Sequence, residues 1–362
     1  MASEKLRVGV IGVGFGATVQ IPGFQSEGWD VVAVCSRRQE RASKTAADFS
    51  IPHVYTDYQQ MVERDDLDAI SIVTPNSLHL PMTKAALQAG KHVLCDKPMA
   101  MDQSEAKEML DIALETGLTA MIAHEFRFAP QRAYMKELLN EGFIGDFRLA
   151  ALELLQGPRT VQDTKPVGWA SDPTQGGGFM VALGSHFIDA LRHLLGEITG
   201  VSGTLAILDP DRIDDSGALV RSEADDAFSF TASFAQGGQA TMTGTREAPF
   251  GEGAKFKIYG SDGALSAPHP WFNPPPDGKV YGARLGDEDL RELPMPGKFL
   301  PFEDDRDHRL PSFRLLLREF ARGIREGSSP SPNFYDGYRC QKVLDAIKES
   351  SSTGRWVDIA EE

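Results

Sequence analysis

Long apolar runs are missing from this chain: no uninterrupted hydrophobic stretch reaches membrane-spanning length, so the sequence carries no signal for a transmembrane helix. Cysteine is scarce. Cys35, Cys95 and Cys340 make an odd number without metal-type spacing, two of them end predicted buried strands, and all three read as inert thiols. Positive charge is also short. Lys and Arg total 37 against 52 Asp and Glu, and the formal charge of −15 has the wrong sign for nucleic acid or an anionic membrane surface. Any anion bound here therefore needs a local cationic site. The first residues, Met1 to Lys5, show neither an apolar signal segment nor twin arginines, so the cytoplasm is the expected location.

What is present is an ordinary globular composition, 41% hydrophobic and 25% charged, on a chain of 362 residues. At about 150 residues per domain, that length allows two domains with sizeable cores. Leu6 to Ile11 reads as a short apolar strand running into Gly12-Val13-Gly14-Phe15-Gly16-Ala17, with a weak helical pattern through Phe24. Glycines at this spacing permit a tight turn and let backbone approach a pyrophosphate at a helix start. A second apolar run, Asp30 to Val34, leads to Cys35-Ser36-Arg37-Arg38, about twenty residues past the glycines, where a ribose-reading residue is expected. An acidic residue there would select NAD. This chain instead places a hydroxyl, Ser36, and the guanidinium groups of Arg37, Arg38 and Arg41, which suit a 2′-phosphate, so NADP is favoured with NAD as the alternative. The bland reading of each arginine is a solvated side chain on the next helix.

The stretch Gly90 to Pro98 ends an apolar strand on Lys97, immediately before a proline. In an open α/β sheet, side chains at the carboxyl end of a strand face the ligand crevice, which makes Lys97 a candidate for chemistry. Asp68–Val73, His92–Cys95 and Thr119–Ala123 read as further strands, with helices over Pro81–Ala89 and Ser104–Thr116. Ser104 is the expected cap of the latter, and Leu110, Ala113 and Leu114 its core stripe. This alternation predicts a doubly wound parallel sheet over residues 1–124. Beyond residue 125 a helix over Pro130–Asn140 precedes runs at Phe147–Leu155, Phe228–Phe234, Gln239–Gly244 and Lys255–Tyr259. These predict an α+β domain over 125–362 with a large, mostly antiparallel sheet, and Asp209–Asp226 and Ala267–Asp304 read as long loops.

Taken together the motifs resemble the glucose-fructose oxidoreductase and inositol dehydrogenase superfamily. They run in order as Gly12-Val-Gly14, Thr74-Pro75-Asn76-Ser-Leu-His79, Gly90-Lys-His92-Val-Leu-Cys-Asp96-Lys97-Pro98, Arg127-Phe128-Ala-Pro130, Gly176-Gly-Gly178, Gly184-Ser-His186-Phe-Ile-Asp189, Tyr259-Gly260-Ser-Asp-Gly263 and Tyr335-Asp336-Gly337, across nearly the whole chain. The resemblance implies a Rossmann domain followed by a C-terminal domain whose open sheet makes dimer or tetramer contacts. It implies hydride exchange between NAD(P) and a carbon of a sugar, glycoside or polyol. It places Thr74, Pro75, Asn76, His79, Asp96 and Lys97 on the cofactor side, although His79 also fits packing against the next helix. Lys97 would contact the reacting hydroxyl and His186 would exchange its proton, an assignment that agrees with the need for a base and a cation in alcohol oxidation. Arg127 and Asp189 are further substrate-side candidates, with pinning of the domain junction the favoured role for Arg127, and structural support favoured over orienting His186 for Asp189.

Two departures stand out. The family usually has Glu where this chain has Asp96, and many members carry Asp four residues before the histidine, where this chain has Ala182. The alanine keeps two alternatives open: a catalytically silent cofactor-binding sensor, and a glycoside-cleaving enzyme that uses transient oxidation and elimination. His186, Asp189 and His193 lack a third strong ligand at metal spacing, so no metal is expected.

Overall fold

The computed structural model describes residues 5–157, 168–214, 216–269, 275 and 277–360. The chain forms two compact units, one running to Glu125 and including Asp304–Gln341, the other comprising Phe126–Glu303 and the residues from Lys342 onward. Segment 304–341, which the sequence assigns to the second domain, thus belongs to the first unit.

In the first unit, β1 (Arg7–Ile11), β2 (Asp30–Cys35), β3 (His53–Tyr55), β4 (Ala69–Ile72), β5 (His92–Cys95) and β6 (Ala120–Ile122) form one sheet in the order β3-β2-β1-β4-β5-β6. Every neighbouring pair is parallel, so all carboxyl ends share one edge and the order reverses between β1 and β4. The strands are apolar throughout because helices α1 (Ile21–Ser26), α2 (Gln39–Phe49), α3 (Tyr58–Val62), α4 (His79–Gln88) and α5 (Gln103–Thr116) cover the sheet. Their core joins Ile70, Ile72, Val93 and Cys95 with Met109, Leu110 and, from the far end of the chain, Phe334 and Tyr338.

Two local expectations are corrected on α5. Its cap is Asp102, whose carboxylate accepts from the amides of Ser104 (2.9 Å) and Glu105 (3.0 Å), so the helix starts before Ser104. One carboxylate satisfies two orphan amides, which a serine hydroxyl inside the first turn does not. Leu114 is 70% exposed, because the buried face runs through Ala106, Met109, Leu110 and Ala113 and Leu114 lies one step beyond it.

The second unit carries α6 (Pro130–Asn140), α7 (Ser185–Leu195) and a nine-stranded sheet. Its strands are β7 (Phe147–Leu155), β8 (Ile198–Ala206), β11 (Ala227–Phe234), β12 (Gln239–Thr245), β13 (Gly253–Gly260), β14 (Gly263–His269), β15 (Val280–Arg284), β16 (Arg291–Leu293) and β17 (Val357–Asp358). β9 (Asp211–Ile213) and β10 (Leu219–Arg221) make a separate hairpin. In the order β16-β15-β14-β13-β7-β12-β11-β8-β17 only β12 and β7 pair in parallel. Alternating burial along β11 and β12 puts one face in the core and leaves polar Ser, Thr and Gln on the other. The two expected loops are therefore partly strand: Asp209–Asp226 holds the hairpin, and Ala267–Asp304 holds the end of β14 with edge strands β15 and β16. Residues 270–274 and 276 of that stretch lie outside the described residues. Helices α8 (Leu310–Glu326) and α9 (Phe334–Thr353) close the chain. Among the described residues no helix is long and apolar enough to cross a membrane.

Candidate functional site

The glycine turn after β1 assigns a different task to each glycine. Gly12 has φ +110, its amide donates to the carbonyl of Cys35 (2.9 Å), and a Cβ there would lie 2.1 Å from the carbonyl oxygen of Val73. Gly16 packs its α-carbon against Val73 and Val10, where an added Cβ would meet Cγ1 atoms at 3.0 and 3.3 Å. Gly14 is exposed and a Cβ would touch nothing within 4 Å. The protein's own packing thus explains Gly12 and Gly16 but leaves open space over Gly14, as a backbone reserved for close approach of a dinucleotide pyrophosphate requires. Gly12→Ala should unfold the turn, costing about 1–3 kcal/mol. Gly14→Ala should keep the melting temperature and weaken cofactor binding at least tenfold, about 1.4 kcal/mol. Thermal melts beside a cofactor titration check both.

At the end of β2, Ser36 is half-buried, with its amide on the Tyr55 carbonyl (3.1 Å) and its hydroxyl accepting from the Arg38 amide (3.4 Å). Arg37, Arg38 and Arg41 are exposed. Burial and the nearby Asp57 push the Cys35 thiol up to about 12, and burial raises that of Cys95 as well, so neither is a thiolate at neutral pH.

The loops after β4 and β5 meet through His79. Its ring is fully enclosed, with Nε2 2.9 Å from the Thr74 carbonyl and Nδ1 3.0 Å from that of Pro98 and 3.3 Å from that of Met99. Burial holds its pKa below the usual imidazole range. The ring therefore fastens the Thr74-Pro75-Asn76 loop to the loop that carries Lys97, a packing role of the kind its sequence also allows. Pro75 is half-buried and Asn76 buried, while the Thr74 hydroxyl points to the sulfur of Met82 (3.6 Å). Asp96 likewise turns inward, accepting from the Lys97 amide at 2.7 Å, with burial raising its pKa. Through that bond it anchors the loop. Lys97 itself is half-buried and precedes a cis peptide to Pro98.

Sequence patterns do not single out Arg309, Phe126 or Glu125. Arg309 pairs with Asp307 (2.6 Å) and lays its guanidinium 4.8 Å over the ring of Phe15 in the glycine turn. No local signal could have joined residues so far apart in the chain. Glu125 is 3% exposed, and burial, with Asp96 nearby, pushes its carboxyl up to about 8.

In the second unit, a widened π-type turn over Met180–Gly184 precedes α7, so Ala182 lies outside the regular helix that carries His186 and Asp189. His186 is buried and its ring stacks on Phe126 with centroids 3.8 Å apart. Both carboxylate oxygens of Asp189 accept from Arg127, at 2.8 Å from Nε and 2.5 Å from the terminal nitrogen, with both side chains 5% exposed or less. Arg127 and Asp189 thus hold the turn after β6 to α7, in keeping with the structural roles open to both. Arg132 lies in the same core, its guanidinium 4.4 Å from the Phe187 centroid and 5.8 Å from that of Phe126.

Residues 6–124 match the family model described as "Oxidoreductase family, NAD-binding Rossmann fold", and residues 133–266 match the "GFO/IDH/MocA C-terminal domain". Levoglucosan dehydrogenase from Pseudarthrobacter phenanthrenivorans is 27% identical, over 98% of this chain and 98% of that protein. D-xylose 1-dehydrogenase (NADP(+)) 2 from Haloferax volcanii is 27% identical, over 97% of this chain and 99% of that protein. A solved structure of levoglucosan dehydrogenase in complex with NADH superposes with a TM-score of 0.90 at 25% identity, covering 99% of this chain and 100% of that one.

Proposed function

Because the chain belongs to the GFO/IDH/MocA oxidoreductase family and carries its NAD-binding Rossmann fold, we propose that it exchanges hydride with a secondary hydroxyl, or the matching ketone, of a cyclic sugar, glycoside or polyol. The observation that carries the reading is Lys97. It follows the carboxyl end of β5 on a loop fixed by Asp96 beneath it and by His79 from the side. A nicotinamide dinucleotide, when bound, supplies the hydride acceptor or donor. Its pyrophosphate would lie over Gly14, and the nicotinamide side beside Thr74, Pro75 and Asn76. Lys97 would hold the reacting oxygen and steady its negative charge, and the imidazole of His186 would take or return the hydroxyl proton. The same reading has a cytoplasmic homodimer or homotetramer.

For the cofactor we favour NADP. Ser36 and the exposed Arg37, Arg38 and Arg41 stand where an NAD enzyme would place a carboxylate. The named preferences of relatives point both ways, since one is an NADP(+) dehydrogenase and another was solved with NADH. Titrated against the wild-type protein, NADP should bind at least tenfold tighter than NAD. Replacing Arg37 and Arg38 together by alanine should remove that preference by weakening NADP alone. Equal or tighter NAD binding in the wild type would overturn it.

Ala182 supports a second reading, a cofactor-binding protein without turnover, since the carboxylate many relatives place before the histidine is replaced by a methyl group. A screen of sugars for nicotinamide reduction separates the two.

A further inference from the structure

β5 and β6 are neighbours in parallel register, Cys95 opposite Ile122, and the amide of Ala123 donates to the Cys95 carbonyl at 2.8 Å. The chains leaving these two strands therefore set off side by side, one to Asp96 and Lys97, the other to Glu125. Glu125 is nearly sealed from solvent, and its Oε2 is buried with no hydrogen-bond partner. A carboxyl group in that state is costly to ionise, and the backbone bond it receives comes from its own amide, which leaves Oε2 unexplained by the fold. The charges that reach it are Asp96 and Lys97 from the β5 loop and Arg309 from the segment before α8, the last already paired with Asp307.

We infer that Glu125 is a positioning residue for Lys97: its buried carboxyl group is the switchable neighbour that sets how much of the ammonium charge remains available to a substrate oxygen. The inference rests on the oxidoreductase reading of Lys97. Burial, with the repulsion of Asp96, lifts the Glu125 carboxyl to about 8, so it is neutral at pH 7. Asp96 also bears on Lys97, and one of its oxygens accepts from the Lys97 backbone amide. Above that pH Glu125 releases its proton to solvent, a negative charge appears there, the Lys97 ammonium is drawn toward it and a developing alkoxide is disfavoured.

The test has a kinetic arm and a substrate-free arm. In the wild type, kcat for sugar oxidation should fall about tenfold between about pH 7 and pH 9, whereas Glu125→Gln, neutral at every pH, should lose that alkaline fall and Glu125→Asp should regain one. Retention of the same fall in Glu125→Gln overturns the inference. In the second arm, infrared difference spectra of the protein without substrate should show a protonated-carboxyl band that disappears with a midpoint near 8 and is absent in Glu125→Gln. In Lys97→Met the midpoint should move upward, because the ammonium favours the ionised carboxylate. A midpoint unmoved by Lys97→Met overturns the coupling even where a glutamate variant fails to fold. If no sugar is oxidised at all, the oxidoreductase reading fails and the infrared arm still decides the fate of Glu125.

Discussion

Lys97→Ala should lower turnover of a sugar substrate by about 10²–10³-fold, the loss expected when one preorganised donor to a developing oxyanion is removed. Cofactor affinity should stay close to that of the wild type, since the glycine turn and the arginines after β2 are separate from this loop and Asp96 and His79 still fix its backbone. The effect belongs on kcat and kcat/KM together, because the interaction strengthens as the hydroxyl loses its proton. Lys97→Arg is not a conservative rescue: a guanidinium is larger, planar and aimed differently from an ammonium. Steady-state kinetics beside a cofactor titration checks the split. Turnover in Lys97→Ala comparable with the wild type would refute the role.

The second large effect is on stability. Arg127 and Asp189 form a two-bond ion pair with 5% and 2% of their side chains exposed, so removing one partner strands a charge in a low-dielectric core. Arg127→Ala or Asp189→Ala should each cost about 3–5 kcal/mol. Arg127→Met with Asp189→Leu should recover most of the loss, because a buried pair can be exchanged for apolar side chains of similar volume at little net cost. Urea unfolding of the two single variants and the double variant makes the measurement a cycle. A loss below about 1 kcal/mol in the single variants would mean that the pair behaves like one in solvent.

The parallel sheet was legible in the sequence because each apolar run there ends in a chemical signal: glycines after β1, Ser36 and arginines after β2, Thr74-Pro75-Asn76 after β4, Lys97-Pro98 after β5. Such signals are local. The errors came where local signals compete or fall silent. Asp102 displaces Ser104 as a cap because a carboxylate two residues upstream reaches two amides, and Leu114 fits a helical spacing without lying on the buried face. The hairpin strands β9 and β10 and the edge strand β16 have three residues each and β15 five, so they are too short to carry the alternation that reveals a half-buried strand. Lys97 and His186 are singled out by motifs alone. Contacts such as Arg309 on Phe15 and Phe126 on His186 leave no such trace, because they are products of tertiary packing. The pairing of Arg127 with Asp189 is of the same kind: each motif names one partner, and only the fold brings the two together.

The most direct test of the account is to supply the wild-type protein with oxidised NADP and a panel of pyranoses, glycosides and cyclic polyols, following nicotinamide reduction and the mass of the sugar together. The account predicts that at least one sugar loses two hydrogens to a ring ketone while an equal amount of cofactor is reduced. Cofactor binding with no reduction across the panel, or glycoside cleavage with no net cofactor consumed, would contradict it.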